Sequence, residues 1–249
     1  MSLLMSQTAP PRIAVVNHST LIDNAVVYNF TKSLQRQVHR DFAPIWGADA
    51  IVVATLAENV KPYQWVLGIF DNSDQANALG YHDLTPQGLP VMKVFVADSN
   101  AAGVSVSSVA SHELCETLAD PFIQGVVLLD NGDGTGRIFM QEVCDPVEAD
   151  SYAIYGNQMS NFATPWWFGD PKPAADKFDF LGNLTAPFTM TPGGFFGFRD
   201  ITSSGLGPWT QSFADQRGKQ LAKLTRGSRK IAELKTDRKL RFPKKYTGI

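Results

Sequence analysis

The stretch "SVASHELCETLADP", residues 108–121, sets a histidine and two glutamates into a run that otherwise reads as a packed helix. Advancing about 100° per residue, Val106, Ala110, Leu114 and Leu118 fall on one arc and Ser105, Ser108, His112 and Glu116 on the opposite one. The expectation is an amphipathic helix over roughly Val104 to Ala119. Asp120 before Pro121 marks its end, because a residue preceding proline is pushed out of the α region. His112 and Glu116 are one turn apart, so an imidazole nitrogen and a carboxylate oxygen can reach one ion from the same side. Glu113 lies beside them at an angular offset, where a general base for a hydrolytic water belongs.

A helix supplies two ligands, and a catalytic zinc site takes three from the protein. Asp120 lies eight residues beyond His112, about 12 Å along the axis at ~1.5 Å per residue. Its expected work is therefore to close the helix end and the following turn. After it, "VVLLDNGDGTGRIFMQEV" reads as a hairpin around a glycine-rich turn. "DNGDGTG" lacks the spaced acids and terminal glutamate of a calcium loop. The hairpin returns the chain toward the helix and brings "QEVCDPVEAD", where Glu142, Asp145 and Glu148 cluster. Glu142 is the expected third ligand, with Asp145 behind it or as its rival, and His82 in "GYHD" is the alternative from outside the hairpin. The expected cofactor is Zn2+. A carboxylate at 116, where the His-Glu-x-x-His motif has a second histidine, adds negative charge and opens the site to Mn2+ or Fe2+.

Working outward, "RIAVVNHS" (12–19), "AIVVATL" (50–56), "WVLGIF" (65–70) and "VMKVFVA" (91–97) read as strands. Between the first two, "LIDNAVVYNFTKSLQRQVHRDF" carries Val26, Val27, Phe30, Leu34 and Val38 at helical spacing. The polar connection 71–90 reads as a lip over a cleft. The fold class is α/β (α+β): a mixed sheet of at least four strands packed on an N-terminal helix and the site helix, followed by an irregular, aromatic-rich second half. In that half, "SNFATPWWFGDP" offers Trp166 and Trp167 as walls of a substrate cleft, although core packing is the stronger reading. "LTAPFTMTPGGFFGFRDI" reads as an irregular wrapping segment. Tyr155, or Tyr152, is a candidate cleft residue and hydrogen-bond donor to an oxyanion. His18 and His39 read as helix-end or surface groups.

The 249 residues, 44% hydrophobic and 18% charged, suffice for one substantial core. No apolar run approaches the ~20 residues a membrane span requires, and "MSLLMSQTAPPR" lacks the apolar region of a secretory signal, so a cytoplasmic location is expected. Cys115 and Cys144 are too few for a thiolate cage and read as buried free thiols, with one bridge as the alternative. From Arg217 onward there are twelve Lys/Arg against Glu233 and Asp237, so a tail of about +10 follows a body of about −12. The expected division is a single domain over 12–216 and a basic tail over 217–249.

"SHELCETLADP" followed by "EVCDP" resembles a pattern in bacterial and phage proteins and, more distantly, in plant exordium-like proteins. "QVHRDFAPIWG", "GYHD", "SNFATPWWF" and "TPGGFFGFRD" resemble further stretches of the same bacterial group, across roughly residues 12–199. The resemblance implies a zincin-like metallopeptidase acting on a peptide or protein substrate, with His112 and Glu116 as helix ligands, Glu113 as base and Glu142 as third ligand. Two readings compete with it. One is a non-catalytic, metal-stabilised binding module. The other is a protein that docks on nucleic acid or an anionic surface through its basic tail.

Overall fold

The computed structural model describes residues 9–75, 78–224 and 239–241. β1 (Arg12–Asn17) carries Ile13 to Val16 with all four side chains buried, as a strand covered on both faces must. The chain then forms α1 (Asn24–Gln37), a π-helical turn over Val38–Phe42 and α2 (Ala43–Trp46). α1 buries Val27, Phe30 and Leu34, whereas Val26, expected on the same stripe, is exposed. With 27, 30 and 34 facing the sheet, position 26 is rotated about 100° off the stripe.

β2 (Ile51–Thr55), β3 (Trp65–Phe70), β4 (Gly80–Leu84) and β5 (Pro90–Phe95) complete a five-stranded sheet in the order β2-β1-β3-β5-β4. All neighbours run parallel except β4, which closes one edge antiparallel to β5 with His82 opposite Met92. The segment expected to be wholly a lip thus contributes a strand. Gly80 lets it pack tightly: a Cβ there would lie 2.7 Å from Val109 Cγ1 and 2.9 Å from the Lys93 carbonyl oxygen.

α3 (Val96–Ala102) ends at Gly103 in the left-handed region, and α4 (Val106–Ala119) follows. α4 is not a surface amphipathic helix. Only Ser108 and Ala119 are even partly exposed along its length. Its polar side is covered by α1, β9 and β4: Ser111 Oγ donates to Gln37 Oε1 at the end of α1 (2.6 Å) and accepts from Ser160 N (2.9 Å), and Ser107 Oγ donates to the Gln158 carbonyl (2.9 Å). Ser105 caps the start by accepting from Ser108 N. Asp120 closes the end as expected, its carboxylate accepting from Gln124 N (3.0 Å) and Gly125 N (2.7 Å).

β6 (Gly125–Asp130) and β7 (Gly136–Met140) form the expected hairpin, and β8 (Ser151–Ile154) and β9 (Asn157–Ser160) form a second one. β10 (Phe195–Thr202), β11 (Gly205–Leu206), β12 (Thr210–Phe213) and β13 (Lys239–Arg241) join the first hairpin in a six-stranded sheet. β10 lies in the segment expected to be irregular; pairing with β7 and β12 on its two sides overrides the local Pro-Gly-Gly signal. One core cluster takes in residues from both large sheets, from Ile13 to Phe198, so the molecule is a mixed α+β fold. α5 (Gln216–Leu224) crosses the expected boundary at 216/217, with Ala222 buried and the Leu224 carbonyl accepting from Leu79 N at 2.8 Å. The tail's residues 225–238 and 242–249 lie outside the described residues. Among the described residues, no helix is long and apolar enough to cross a membrane.

Candidate metal centre

α4 places His112, Glu113 and Glu116 on its buried flank, and two other elements close around them. The Asp-Pro turn over Asp145–Val147 brings Asp145 and Glu148 to the imidazole of His112, one to each nitrogen. Nδ1 lies 3.0 Å from Glu148 Oε2, an ion-pair contact. Nε2 lies 3.2 Å from Glu116 Oε2 and 3.6 Å from Asp145 Oδ1. β4 brings the second imidazole: His82 Nδ1 lies 3.2 Å from Glu113 Oε2 and 3.8 Å from Glu116 Oε2. Glu116 is fixed from its other side, where Cys144 N donates to Oε1 at 3.3 Å.

Two groups of donors result, each with atoms within 4.8 Å of one another: His112, Glu116 and Asp145, and His82, Glu113 and Glu116. Glu142, the expected third ligand, is buried just beyond β7 but belongs to neither group. Of that acid cluster it is the expected rival, Asp145, together with Glu148, that lies beside His112, brought there by the helical turn over Asp145–Val147. Glu148 was visible in the sequence as part of the acid cluster, but its position on Nδ1 was not. The available signal was the Asp-Pro-Val-Glu spacing, which puts 145 and 148 about one turn apart on one side.

The electrostatics are those of a crowded anionic pocket. Burial disfavours the charged form of His112, yet the charges of Glu116 and Glu148 prevail and raise its pKa well above the ordinary 6.5. Beside the cluster, a cavity of 20 Å³ is lined by His112, Glu113, Glu148, Val109 and Ser160, among others. That is room for one water. A neighbouring cavity of 270 Å³ shares Val104, Ser108 and Glu148 with it and adds Gln158, Asp150 and Arg217.

The expected cleft aromatics do not line these cavities. Trp167 is fully buried, donates from Nε1 to the Thr189 carbonyl (2.7 Å) and packs edge-on against Phe139, Phe168 and Phe196. Trp166 is partly buried and absent from both linings. Tyr155 is exposed at the tip of the β8–β9 hairpin, with φ 50°, and borders a different cavity beside α1. Tyr152 donates its hydroxyl to Asp41 (2.9 Å). His18 stacks on Phe70, and His39 pairs with Asp49 at the surface. Cys115 and Cys144 are buried free thiols, and burial together with Cys115 raises the Cys144 thiol well above its ordinary pKa, which argues against a nucleophilic role.

Comparison with protein-family models, with curated proteins and with solved structures finds no match for this chain.

Proposed function

We propose that this chain is a metal-dependent hydrolase of peptide bonds that uses a divalent cation, zinc first, at His112, Glu116 and Asp145, with Glu113 as general base. The observation that carries this reading is the setting of His112, with one nitrogen held by Glu148 while the other faces two carboxylates. Orientation of a ligating imidazole by a carboxylate behind it is the usual second partner of such a ring. The donor set fits the ion: bonds of ~2.1 Å at tetrahedral angles put donor atoms about 3.4 Å apart, and the separations from His112 Nε2 are 3.2 and 3.6 Å. One imidazole with two carboxylates is a harder set than a three-histidine site and also suits Mn2+ or Fe2+.

When bound, the cation supplies a Lewis acid that polarises a carbonyl and acidifies a water. The chain's own residues do the rest. Glu113, on the wall of the 20 Å³ cavity, takes a proton from the single water that fits there as its oxygen attacks the carbonyl carbon. The C–N bond then breaks, and Glu113 delivers the proton to the leaving amine. Glu116 is held in place by Cys144 N and Asp145 by its turn, so neither must reorganise.

Metal analysis of freshly purified protein, with a casein or peptide-library assay, tests this reading. We expect at least one divalent ion per chain, loss of the ion at this position in His112→Ala, and loss of cleavage in Glu113→Gln. Full activity of Glu113→Gln removes the base, and a chain that takes up no divalent ion removes the proposal. The narrowness of the cavity favours a second reading, a metal-stabilised binding module without catalysis. In that case chelation lowers the melting temperature and no peptide in the library is cut.

A further inference from the structure

We infer that the centre takes two divalent cations, bridged by Glu116. The inference deepens the one-cation proposal and rests on it for the first position, formed by His112, Glu116 and Asp145. The second position is formed by His82 on β4, Glu113 and Glu116.

Three observations converge. First, the five donors form two groups rather than one, with Glu116 alone common to both. Second, donor spacing suits an ion in each. His82 Nδ1 stands 3.2 Å from Glu113 Oε2 and 3.8 Å from Glu116 Oε2, against about 3.4 Å for the edge of a tetrahedron with ~2.1 Å bonds. The same Glu116 oxygen is 3.2 Å from His112 Nε2, so a single carboxylate oxygen already faces one imidazole of each group. Third, the charges close. When ionised, Glu113, Glu116, Asp145 and Glu148 together carry four negative charges, and the first two are almost wholly buried. Two dications with neutral imidazoles balance them, whereas with one dication the balance falls to a protonated imidazole beside Glu113. Each position offers one imidazole and two carboxylate oxygens, a set that Zn2+ or Mn2+ satisfies. Glu113 ligates through one oxygen and has its second oxygen for the proton.

The test is metal stoichiometry on the full chain, loaded with excess Zn2+ or Mn2+, desalted and weighed by native mass spectrometry. We expect two ions in the unaltered protein, one in His82→Gln, and one in His112→Gln. A single ion that His82→Gln leaves in place overturns the two-ion inference while the one-ion proposal stands; no ion overturns both. Should His82→Gln fail to fold, electron paramagnetic resonance of the unaltered Mn2+-loaded protein decides. Ions about 3.5–4 Å apart, as in two-metal sites, give an exchange-coupled spectrum, and the six-line signal of an isolated ion overturns the inference.

Discussion

Glu148 Oε2, 3.0 Å from Nδ1 of His112, holds the ring with its other nitrogen toward Glu116 and Asp145. Loss of such a partner usually costs 10–100-fold in metal affinity, and Glu148→Gln is expected to weaken binding by about that factor. Competition against a chromophoric chelator measures it, and an unchanged affinity would leave Glu148 with a packing role only. The same ring sets a pH dependence in metal-free protein. Because Glu116 and Glu148 raise the folded-state pKa of His112 above its ordinary 6.5 despite burial, the folded chain binds that proton more tightly than the unfolded chain does. Its contribution to stability is complete below pH ~6.5 and is lost as pH rises through the folded value. Melting the metal-free protein from neutral to alkaline pH should show a decline that His112→Gln lacks; an identical decline in the variant assigns it to another group. With metal present the trend reverses, since the ring must shed its proton to bind.

At the scale of elements, the close approach of β4 to α4 is what brings His82 to Glu113, and Gly80 permits it. A methyl group at 80 meets Val109 and the Lys93 carbonyl at under 3 Å and Glu113 Cγ at 3.1 Å. Gly80→Ala is therefore expected to cost about 1–3 kcal/mol in urea unfolding and to reduce metal uptake at the His82 position. Unaltered stability would mean that β4 can move aside without loss. β4 also marks where sequence and structure part. β1, β2, β3 and β5 are legible because strands in a largely parallel sheet write short apolar, β-branched runs. Gly80–Leu84 contains one Leu and one Tyr among polar and turn residues, and becomes a strand only because β5 is there to pair with. The same divide runs through the site. His112, Glu113 and Glu116 are legible because one helical turn fixes their spacing, whereas which of the candidates Glu142, Asp145 and His82 come near them depends on how separate elements meet, which no local pattern encodes.

For the whole molecule, the charge asymmetry survives but its boundary moves. Asp215 ties the start of α5, accepting from Gly218 N (2.8 Å) and Gly193 N (3.1 Å), while Ala222 is buried and Leu224 is bonded to Leu79 at the base of β4. Cutting at 217 would therefore remove a packed helix that borders the 270 Å³ cavity through Arg217 and Leu221. A cut after Leu224 spares it and still removes nine of the Lys/Arg residues, with Glu233 and Asp237. The chain ending at 224 also loses β13, the edge strand paired with β6, and so gives up part of its stability, but it should keep its metal content, since no ligand proposed lies beyond that point, and should lose affinity for polyanions. Each phosphate contact contributes a slope of about −0.9 to log K against log salt on duplex DNA. Titrating full-length and shortened chains with an oligonucleotide at several salt concentrations thus measures how many cations the segment supplies. Binding with an equal slope in both chains would place the anionic partner on the body, where Lys32 and Arg36 on α1 beside Tyr28 are the cationic surface to mutate next.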